Sequence, residues 1–289
     1  MSAQLPAGVA ARANRAIDSL HAMVYFAPES DEELTAVGLR PGRMCYFASR
    51  SAAMGAVSAG VTTATFYNFN PMLVARHIPR AWELASIEAI LAARVRAADR
   101  ALRRLLGDDL AASAVVDEAA ALARAATVGL NPQGRPLYAA HAELPWPDEP
   151  HLVLWHAVTL LREYRGDGHV AVLLRAGVAG LEALITHTAT GRGFTLSAAK
   201  ATRGWSDAEW SAGEARLRAA GLLDDGGLTA AGVALRESIE QATDDLAAAP
   251  WLTIGPTSTD RLIELGRGLS RQLVAAGAFS ADVFARAGG

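Results

Sequence analysis

The sequence has few of the residues on which several common kinds of site depend. Among its 289 residues Cys45 is the only cysteine, so neither an internal disulfide bond nor a cluster of thiolate metal ligands can form. We interpret Cys45 as a small buried residue. The seven histidines are scattered, without an H-x-x-E-H or H-E-x-x-H spacing. No cofactor is therefore predicted, although a haem or metal ion bound by His21 stays open as a third alternative.

Signatures of nucleotide binding, acyl transfer and membrane insertion are missing as well. No G-x-G-x-x-G follows a strand pattern, and neither a P-loop nor a G-x-S-x-G sequence occurs. There is no apolar run of about 18 residues, the length that a membrane-spanning helix needs. The first residues lack the charged and apolar regions of a signal peptide. We expect a soluble, cytoplasmic protein that does not associate with a membrane.

What the sequence does contain favours helices. Hydrophobic residues make up 51% of the chain and aromatic residues only 6%, with alanine, leucine, glutamate and arginine prominent. The formal net charge is −3, so the molecule as a whole has no basic field to attract nucleic acid. We predict a mainly α fold, with a helical N-terminal domain followed by a C-terminal winged helix-turn-helix-like domain that has a short β-hairpin wing.

Helical periodicity divides the chain into runs separated by proline- and glycine-rich segments. The longer predicted helices cover residues 8–27, 80–106, 109–128, 152–164 and 169–189. The segment 46–60 is expected to be a close-packed helix, and 61–73 (VTTATFYNFNPML) an extended or irregular segment. Residues 131–151 are rich in proline and are interpreted as a packed linker. They would separate a helical domain over 1–130 from a winged-helix-like domain with further C-terminal helices over 152–289.

The C-terminal part has the pattern of a winged helix-turn-helix. Residues 194–204 predict a short helix and a turn, and residues 206–220 predict a second helix with a capping box formed by Ser206 and Glu209. The following GLLDDGGL predicts a tight hairpin, and Thr229 would cap a long helix. The pattern resembles the winged helix of MarR-type regulators, which implies that residues 206–220 correspond to the recognition helix.

Charge argues against DNA contact by these elements. Binding of this kind depends on basic residues that neutralise phosphates. The recognition helix carries Arg216 and Arg218, but the helix and the wing together carry five carboxylates: Asp207, Glu209, Glu214, Asp224 and Asp225. DNA is therefore the less expected partner. A degenerate winged helix can instead serve in dimerisation, and the long helix over 229–248 favours a homodimer.

Polar residues in apolar surroundings predict a pocket for a small molecule in the N-terminal half. Arg50 lies among small and apolar residues, and an unpaired buried charge costs several kcal/mol, so we expect it to bind an anionic or carbonyl group unless a carboxylate pairs with it. The other polar and aromatic residues of this predicted pocket could instead serve the fold, in core packing, in turns or at half-buried positions. The predicted ligand-binding residues are Arg50, Arg162, His21, Tyr25, Tyr67, Asn68 and Trp82.

The stretch REYRGDGHVAVL, residues 162–173, concentrates charge between two helical runs. Gly166 would end the first helix and Asp167 or His169 would begin the second. His169, oriented by Asp167 or Glu163, would then act as a general acid and base, so these three are the predicted catalytic residues. A salt-bridged and capped corner is the structural alternative.

Six stretches resemble an actinobacterial family of SalK-like, helix-turn-helix-domain proteins. They are HAMVYF, YFASRSAAMG, FYNFNP, LLREYRGDGHVAVL, GWSDAEW and GLTAAG, and they run from about residue 21 to residue 250. The family would have a histidine where this chain has Tyr164. The resemblance implies the architecture but assigns no reaction.

We therefore predict a protein that binds or modifies a small molecule, as a biosynthetic enzyme with acid–base chemistry in a pocket between its two halves. The enzyme classes that such chemistry suggests are lyase, isomerase and cyclase. The alternative is a MarR-like, ligand-responsive transcriptional regulator. The haem or metal-binding protein with His21 as a ligand is third.

Overall fold

The computed structural model describes residues 8–191 and 193–279, and within these ranges the regular structure is almost entirely helical. The α-helices of the described residues are α1 (Val9–Ala22), α2 (Pro28–Ala36), α3 (Arg43–Ser51), α4 (Ala59–Phe66), α5 (Pro71–Ala75), α6 (Ala81–Leu84), α7 (Ile87–Leu106), α8 (Asp108–Ala111), α9 (Ala114–Ala126), α10 (Pro136–Ala142), α11 (Pro150–Arg175), α12 (Gly180–Thr188), α13 (Leu196–Arg203), α14 (Asp207–Ala219), α15 (Ala230–Leu246) and α16 (Ala249–Ala275). Two antiparallel strands, β1 (Leu223–Asp224) and β2 (Gly227–Leu228), form a hairpin. The predicted mainly α fold class is confirmed.

Among the described residues, no single helix combines the length and the apolar composition needed to cross a membrane. Helices α11 and α12 meet both criteria only when taken together, as a pair bent by 104°.

Helix α11 runs without a break through the charged stretch that was predicted to be a corner. Its 26 residues pack against α9, α10 and α15, and this packing outweighs the helix-breaking tendency of two glycines. Gly168 serves a close approach, since a Cβ atom there would lie 2.8 Å from Nη1 of Arg135. The Arg135 guanidinium crosses this point and donates to the carbonyl oxygens of Tyr164 and Leu246. The predicted helix ends at Gly166 and Asp167 are therefore wrong.

Serine caps explain why other helix boundaries differ from the prediction. The segment 61–73 is not extended at its start, because Ser58 caps α4 by accepting a hydrogen bond from the backbone N–H of Val61. The run 80–106 is divided into α6 and α7 by Ser86, which caps α7 in the same way. The expected linker 131–151 contains the short helix α10.

The largest hydrophobic core contains helices from both ends of the chain. Helix α1 packs against α16, and α9 packs against both α11 and α16. Ile17, Leu20 and Trp251 are among its completely buried side chains. Each such side chain contributes about 1.5–3 kcal/mol to the stability of the fold. Helices on both sides of the 131–151 segment thus share one core.

The winged helix has a small core of its own. Leu184 of α12, Trp210 and Leu217 of α14 and Leu223 of the hairpin pack together. The capping box of α14 is present as predicted, and Thr229 caps α15 by accepting from the N–H of Gly232. These local features of the helix-turn-helix prediction are confirmed.

A second core lies beneath α3 and contains Phe47, Ile78 and Ile90. Cys45 is buried in it, as predicted, and burial raises the pKa of its thiol to about 12. Trp82 packs against the same core, and its indole N–H donates to the carbonyl oxygen of Val57 at 2.8 Å. The environment of Trp82 therefore fits the structural alternative.

Candidate functional site

A cavity of about 1400 Å³ lies between the N-terminal helices and the winged helix. Its walls come from α1, α3, the connection between α4 and α5, α11, α12, the end of α13, the hairpin and α15. Seven predicted site residues line it: Arg50, Tyr67, Asn68, Arg162, Glu163, Asp167 and His169. Arg50 and His169, which are distant in sequence, therefore face one cavity. Their roles toward a ligand stay a prediction.

Arg50 and Glu163 form an ion pair in the cavity wall. Nη2 of Arg50 lies 3.3 Å from Oε1 of Glu163, while Nη1 of Arg50 donates to the Tyr46 hydroxyl at 2.8 Å. Arg162 contacts the same carboxylate at 3.1 Å and also pairs with Asp18. Burial alone would raise the pKa of Glu163, but the two arginines hold it at about 2. Glu163 is therefore ionised and neutralises part of their charge.

His21 and Tyr25 lie behind this wall rather than on it. The Thr159 hydroxyl donates to the carbonyl oxygen of Trp155, so it must accept a proton from Nδ1 of His21, 2.7 Å away. Nε2 of His21 then accepts from the Tyr25 hydroxyl, also at 2.7 Å. Burial, followed by the nearby charge of Arg162, lowers the pKa of His21 well below its ordinary value, so the ring is neutral.

The hydrogen bonds of His21 bear on the metal alternative. Nδ1 carries the ring proton and the lone pair of Nε2 accepts from Tyr25, so neither nitrogen is free to coordinate a metal without rearrangement. In the part of the chain that the structure describes, no group of three or more His, Cys, Asp or Glu side chains is placed to hold a metal ion.

Asp167 acts as the cap of another helix. Its Oδ2 atom accepts from the backbone N–H groups of Leu137 and Tyr138 at 3.0 and 2.9 Å. These N–H groups belong to the first turn of α10, whose own N-cap residue, Arg135, makes no side-chain cap. Burial raises the pKa of Asp167 to about 6, against the opposite effect of these two hydrogen bonds. A structural function for this carboxylate is thus evident.

His169 is oriented by Thr243 and by neither predicted carboxylate. Thr243 donates its hydroxyl proton to the carbonyl oxygen of Ile239, so it accepts from Nδ1 of His169 at 2.9 Å. Burial lowers the pKa of His169, which favours the neutral ring. Its Nε2 atom then carries a lone pair, and no residue in 8–191 or 193–279 forms a hydrogen bond to it. The prediction that Asp167 or Glu163 orients His169 is wrong.

Several residues of the cavity were missed by the sequence prediction. Tyr46 and Arg203 line it, and neither was among the predicted site residues. Arg165 of α11 pairs with Glu240 and Asp244 of α15 at 3.2 and 3.0 Å. The sequence contained one indication of this site, because Glu240 and Asp244 lie four residues apart and therefore on one face of a helix.

The connection between α4 and α5 links the cavity to the winged helix. The indole N–H of Trp205 donates to the carbonyl oxygen of Asn68 at 2.9 Å. Asn70 donates its side-chain amide to Glu209 at 3.0 Å and its backbone N–H to the carbonyl oxygen of Arg203 at 2.9 Å. A segment that lines the cavity therefore also holds the start of α14.

The basic residues of the winged helix are partly neutralised by neighbouring carboxylates. The pairs are Arg216–Glu182, Arg218–Glu214 and Lys200–Asp207. The outer face of α14 is nevertheless exposed, including both of its arginines, because only Trp210, Gly213 and Leu217 of this helix are buried.

The capped α14, the hairpin and α15 define a winged helix-turn-helix unit attached to a larger helical body. The chain belongs to a helix-turn-helix family whose model matches residues 10–280. No curated protein and no solved structure matches the chain. The family supports the helix-turn-helix part of the resemblance, and it is compatible with the alternative of a DNA-binding regulator. It gives no support to an enzyme.

Proposed function

We propose that this protein is a ligand-responsive helix-turn-helix regulator in the cytoplasm. Its cavity binds a small organic molecule, and occupancy changes how the winged helix contacts DNA. One observation carries the proposal. The segment 67–70 lines the cavity with Tyr67, Asn68 and Phe69, and it contacts the start of α14 through Asn70 and Glu209.

The position of these contacts suggests how a ligand would act. In helix-turn-helix proteins the N-terminal residues of the recognition helix contact the base edges. In this protein, that turn of α14 is tied by Glu209 to Asn70 and is preceded by Trp205, which is tied to Asn68. A ligand that binds better when these contacts are broken, or better when they are made, shifts the equilibrium between two positions of α14.

The charges of α14 set the expected strength of DNA binding. Arg216 and Arg218 would have to exchange Glu182 and Glu214 for phosphates, which weakens the gain from each contact. With one or two phosphate contacts per protomer, log Kd would change with log salt concentration with a slope of about 1 to 2 per protomer. A homodimer, which we also propose, would double that slope and bind two half-sites.

A mobility-shift experiment at low salt, with DNA from upstream of the gene, tests this function. We expect a retarded complex that Arg216→Ala and Arg218→Ala each weaken. Arg271→Ala on α16 is the control, since Arg271 is exposed and lies far along the chain from the winged helix. Absence of a complex at low salt, or equal weakening by all three variants, would contradict a regulator.

A second candidate function is acid–base catalysis in the same cavity. It is favoured by the free lone pair on Nε2 of His169, which is fixed by the hydrogen bond to Thr243 and shares the cavity with Arg50. Once a ligand has been identified, mass spectrometry would show whether the wild-type protein converts it. Catalysis requires that His169→Ala stops conversion while binding persists, and that Arg50→Ala weakens binding. An unchanged ligand after incubation with the wild-type protein would exclude it as a substrate.

A further inference from the structure

Arg203 occupies an unusual position at the end of α13. Its guanidinium lies between the rings of Phe69 and Phe194, with Cζ 4.6 and 4.7 Å from the two ring centroids. Nε donates to the side-chain oxygen of Asn68 at 3.3 Å, and Nη1 donates to the Thr202 hydroxyl at 3.0 Å. The two rings hold the guanidinium plane in place while part of it faces the cavity.

The charge of Arg203 is not neutralised by a carboxylate. No Asp or Glu within residues 8–191 and 193–279 lies within ion-pair distance of it. Burial lowers the pKa of Arg203, and the charges of Arg43, Arg50 and Arg162 lower it further, against the opposite effect of Tyr46. Arg50 and Arg162 share Glu163, and Arg162 also pairs with Asp18. Arg203 has no such partner among the described residues, so its positive charge is uncompensated at this end of the cavity.

The Tyr46 hydroxyl lies among these cations. It accepts a hydrogen bond from Arg50, and its own proton remains available for an acceptor in the cavity. Burial raises its pKa, but Arg50 and Arg203 outweigh that effect and lower it. The nearby wall is aromatic, since the Tyr46 ring centroid lies 5.5 Å from that of Phe69 and Phe66 also lines the cavity.

We propose that Arg203 and Tyr46 bind the carboxylate of an organic acid with an apolar, ring-containing body. A guanidinium presents two parallel N–H groups that match the two oxygens of a carboxylate. The guanidinium and the Tyr46 hydroxyl can satisfy both oxygens of a carboxylate, whereas a phosphate would bring a third charged oxygen toward the aromatic wall. The aromatic wall and the volume of about 1400 Å³ accommodate the body. This inference names the ligand class of the proposed regulator and rests on its cavity being the ligand site.

Isothermal titration calorimetry with three matched probes tests the ligand class. The probes are 1-naphthoate, its neutral amide and 1-naphthyl phosphate, each at concentrations up to the millimolar range. We expect 1-naphthoate to bind about tenfold more tightly than the amide, because only the carboxylate forms charge-assisted hydrogen bonds. The phosphate is expected to bind more weakly than the carboxylate.

Variants of the full chain identify the anchoring residue. Arg203→Gln should weaken 1-naphthoate binding about tenfold and leave amide binding unchanged, and Arg203→Lys should restore part of the loss. Tyr46→Phe should reduce affinity for the carboxylate by a smaller factor. Arg175→Gln, at the exposed end of α11, is the control with no expected effect. Thermal unfolding curves show that each variant is folded before it is titrated.

Four results would overturn the inference: equal binding of amide and carboxylate, tighter binding of the phosphate, no saturable binding of any probe, or unchanged carboxylate binding in Arg203→Gln. If Arg203→Gln loses DNA binding but still binds the carboxylate, Arg203 contacts the DNA backbone instead of the ligand. That result would also overturn the inference. If the wild-type protein binds the carboxylate through Arg203 but binds no DNA, the proposed regulator is contradicted and the inference about the ligand class stands.

Discussion

Arg50 of α3 and Glu163 of α11, 113 positions apart in the sequence, are joined by an ion pair of 3.3 Å in the wall of the cavity. The pair fastens the N-terminal helices to the long central helix at the level of the proposed ligand site. Glu163, which is almost completely buried, also contacts Arg162, so this one carboxylate pairs with two cations, the second of which Asp18 shares. The pair is therefore both part of the fold and a determinant of the charge that a ligand meets.

Removal of the Glu163 charge should destabilise the protein. Glu163→Gln leaves Arg50 buried without its carboxylate, and breaking a buried pair in this way costs about 3–5 kcal/mol. Urea unfolding at neutral pH measures the loss. Glu32→Gln, which removes a mostly exposed partner of Arg100, should leave stability nearly unchanged. Equal effects of the two substitutions would show that the buried Arg50–Glu163 pair contributes no more to stability than an exposed pair.

Stability should fall as the pH drops from 7 to 4, with His156 as one cause. Burial lowers the pKa of His156 to about 4, whereas an exposed histidine titrates near 6.5. Between these values the unfolded chain binds more protons than the folded protein. The contribution of His156 to the free energy of unfolding is therefore fully present above about pH 6.5 and is lost toward pH 4. The loss is on the order of 3 kcal/mol for this residue.

The control for this pH effect is His156→Phe. Phenylalanine does not titrate, so the pH dependence of the free energy of unfolding should be flatter than in the wild type, whatever the stability at pH 7. His141, whose pKa burial lowers to about 3, should retain its share of the slope in this variant. Parallel curves for the wild type and His156→Phe would refute the assignment.

Asp167 should be required for helix α10 rather than only for chemistry in the cavity. Asp167→Ala removes the acceptor of two N–H groups in the first turn of α10 and should cost about 1–2 kcal/mol. Asp167→Asn keeps one side-chain oxygen and should cost less. Hydrogen exchange of the Leu137 and Tyr138 amides measures the effect locally. Unchanged protection of both amides in Asp167→Ala would argue against the capping function.

The junction between the cavity and the winged helix should not tolerate a side chain at Gly180. A Cβ atom there would lie 2.0 Å from the carbonyl oxygen of Tyr67, so Gly180→Ala requires the backbones to separate and should cost about 1–3 kcal/mol. Gly268→Ala, in α16, meets no atom within 4 Å and should gain up to about 1 kcal/mol. Chemical denaturation measures the free energy of unfolding of both variants. An unchanged stability of Gly180→Ala would mean that Gly180 and Tyr67 are not in close contact.

The sequence was sufficient where structure depends on neighbours in the chain. The capping box of Ser206 and Glu209, the hairpin and the cap at Thr229 follow from residues within a few positions of one another. The proximity of His21 and Tyr25 follows in the same way from helical spacing, and their side chains are hydrogen-bonded. Local chemistry of this kind is visible in a single sequence.

The sequence was insufficient where distant segments decide the outcome. Gly166 and Gly168 are typical of a turn, yet packing on both sides keeps α11 helical, and the Arg135 guanidinium occupies the space beside Gly168. The partner of His169 is Thr243, 74 positions away, which no spacing rule could indicate. The cation cluster around Arg203 likewise requires segments that only the fold brings together.

The cap that Asp167 provides for α10 has a consequence for how the chain folds. A helix of seven residues is far too short to persist alone in water. Its first turn is completed by a carboxylate from a helix that begins eight residues after α10 ends, so we expect α10 to form only once α11 has docked beside it. We therefore expect α10 and α11 to open and close together, as one cooperative unit.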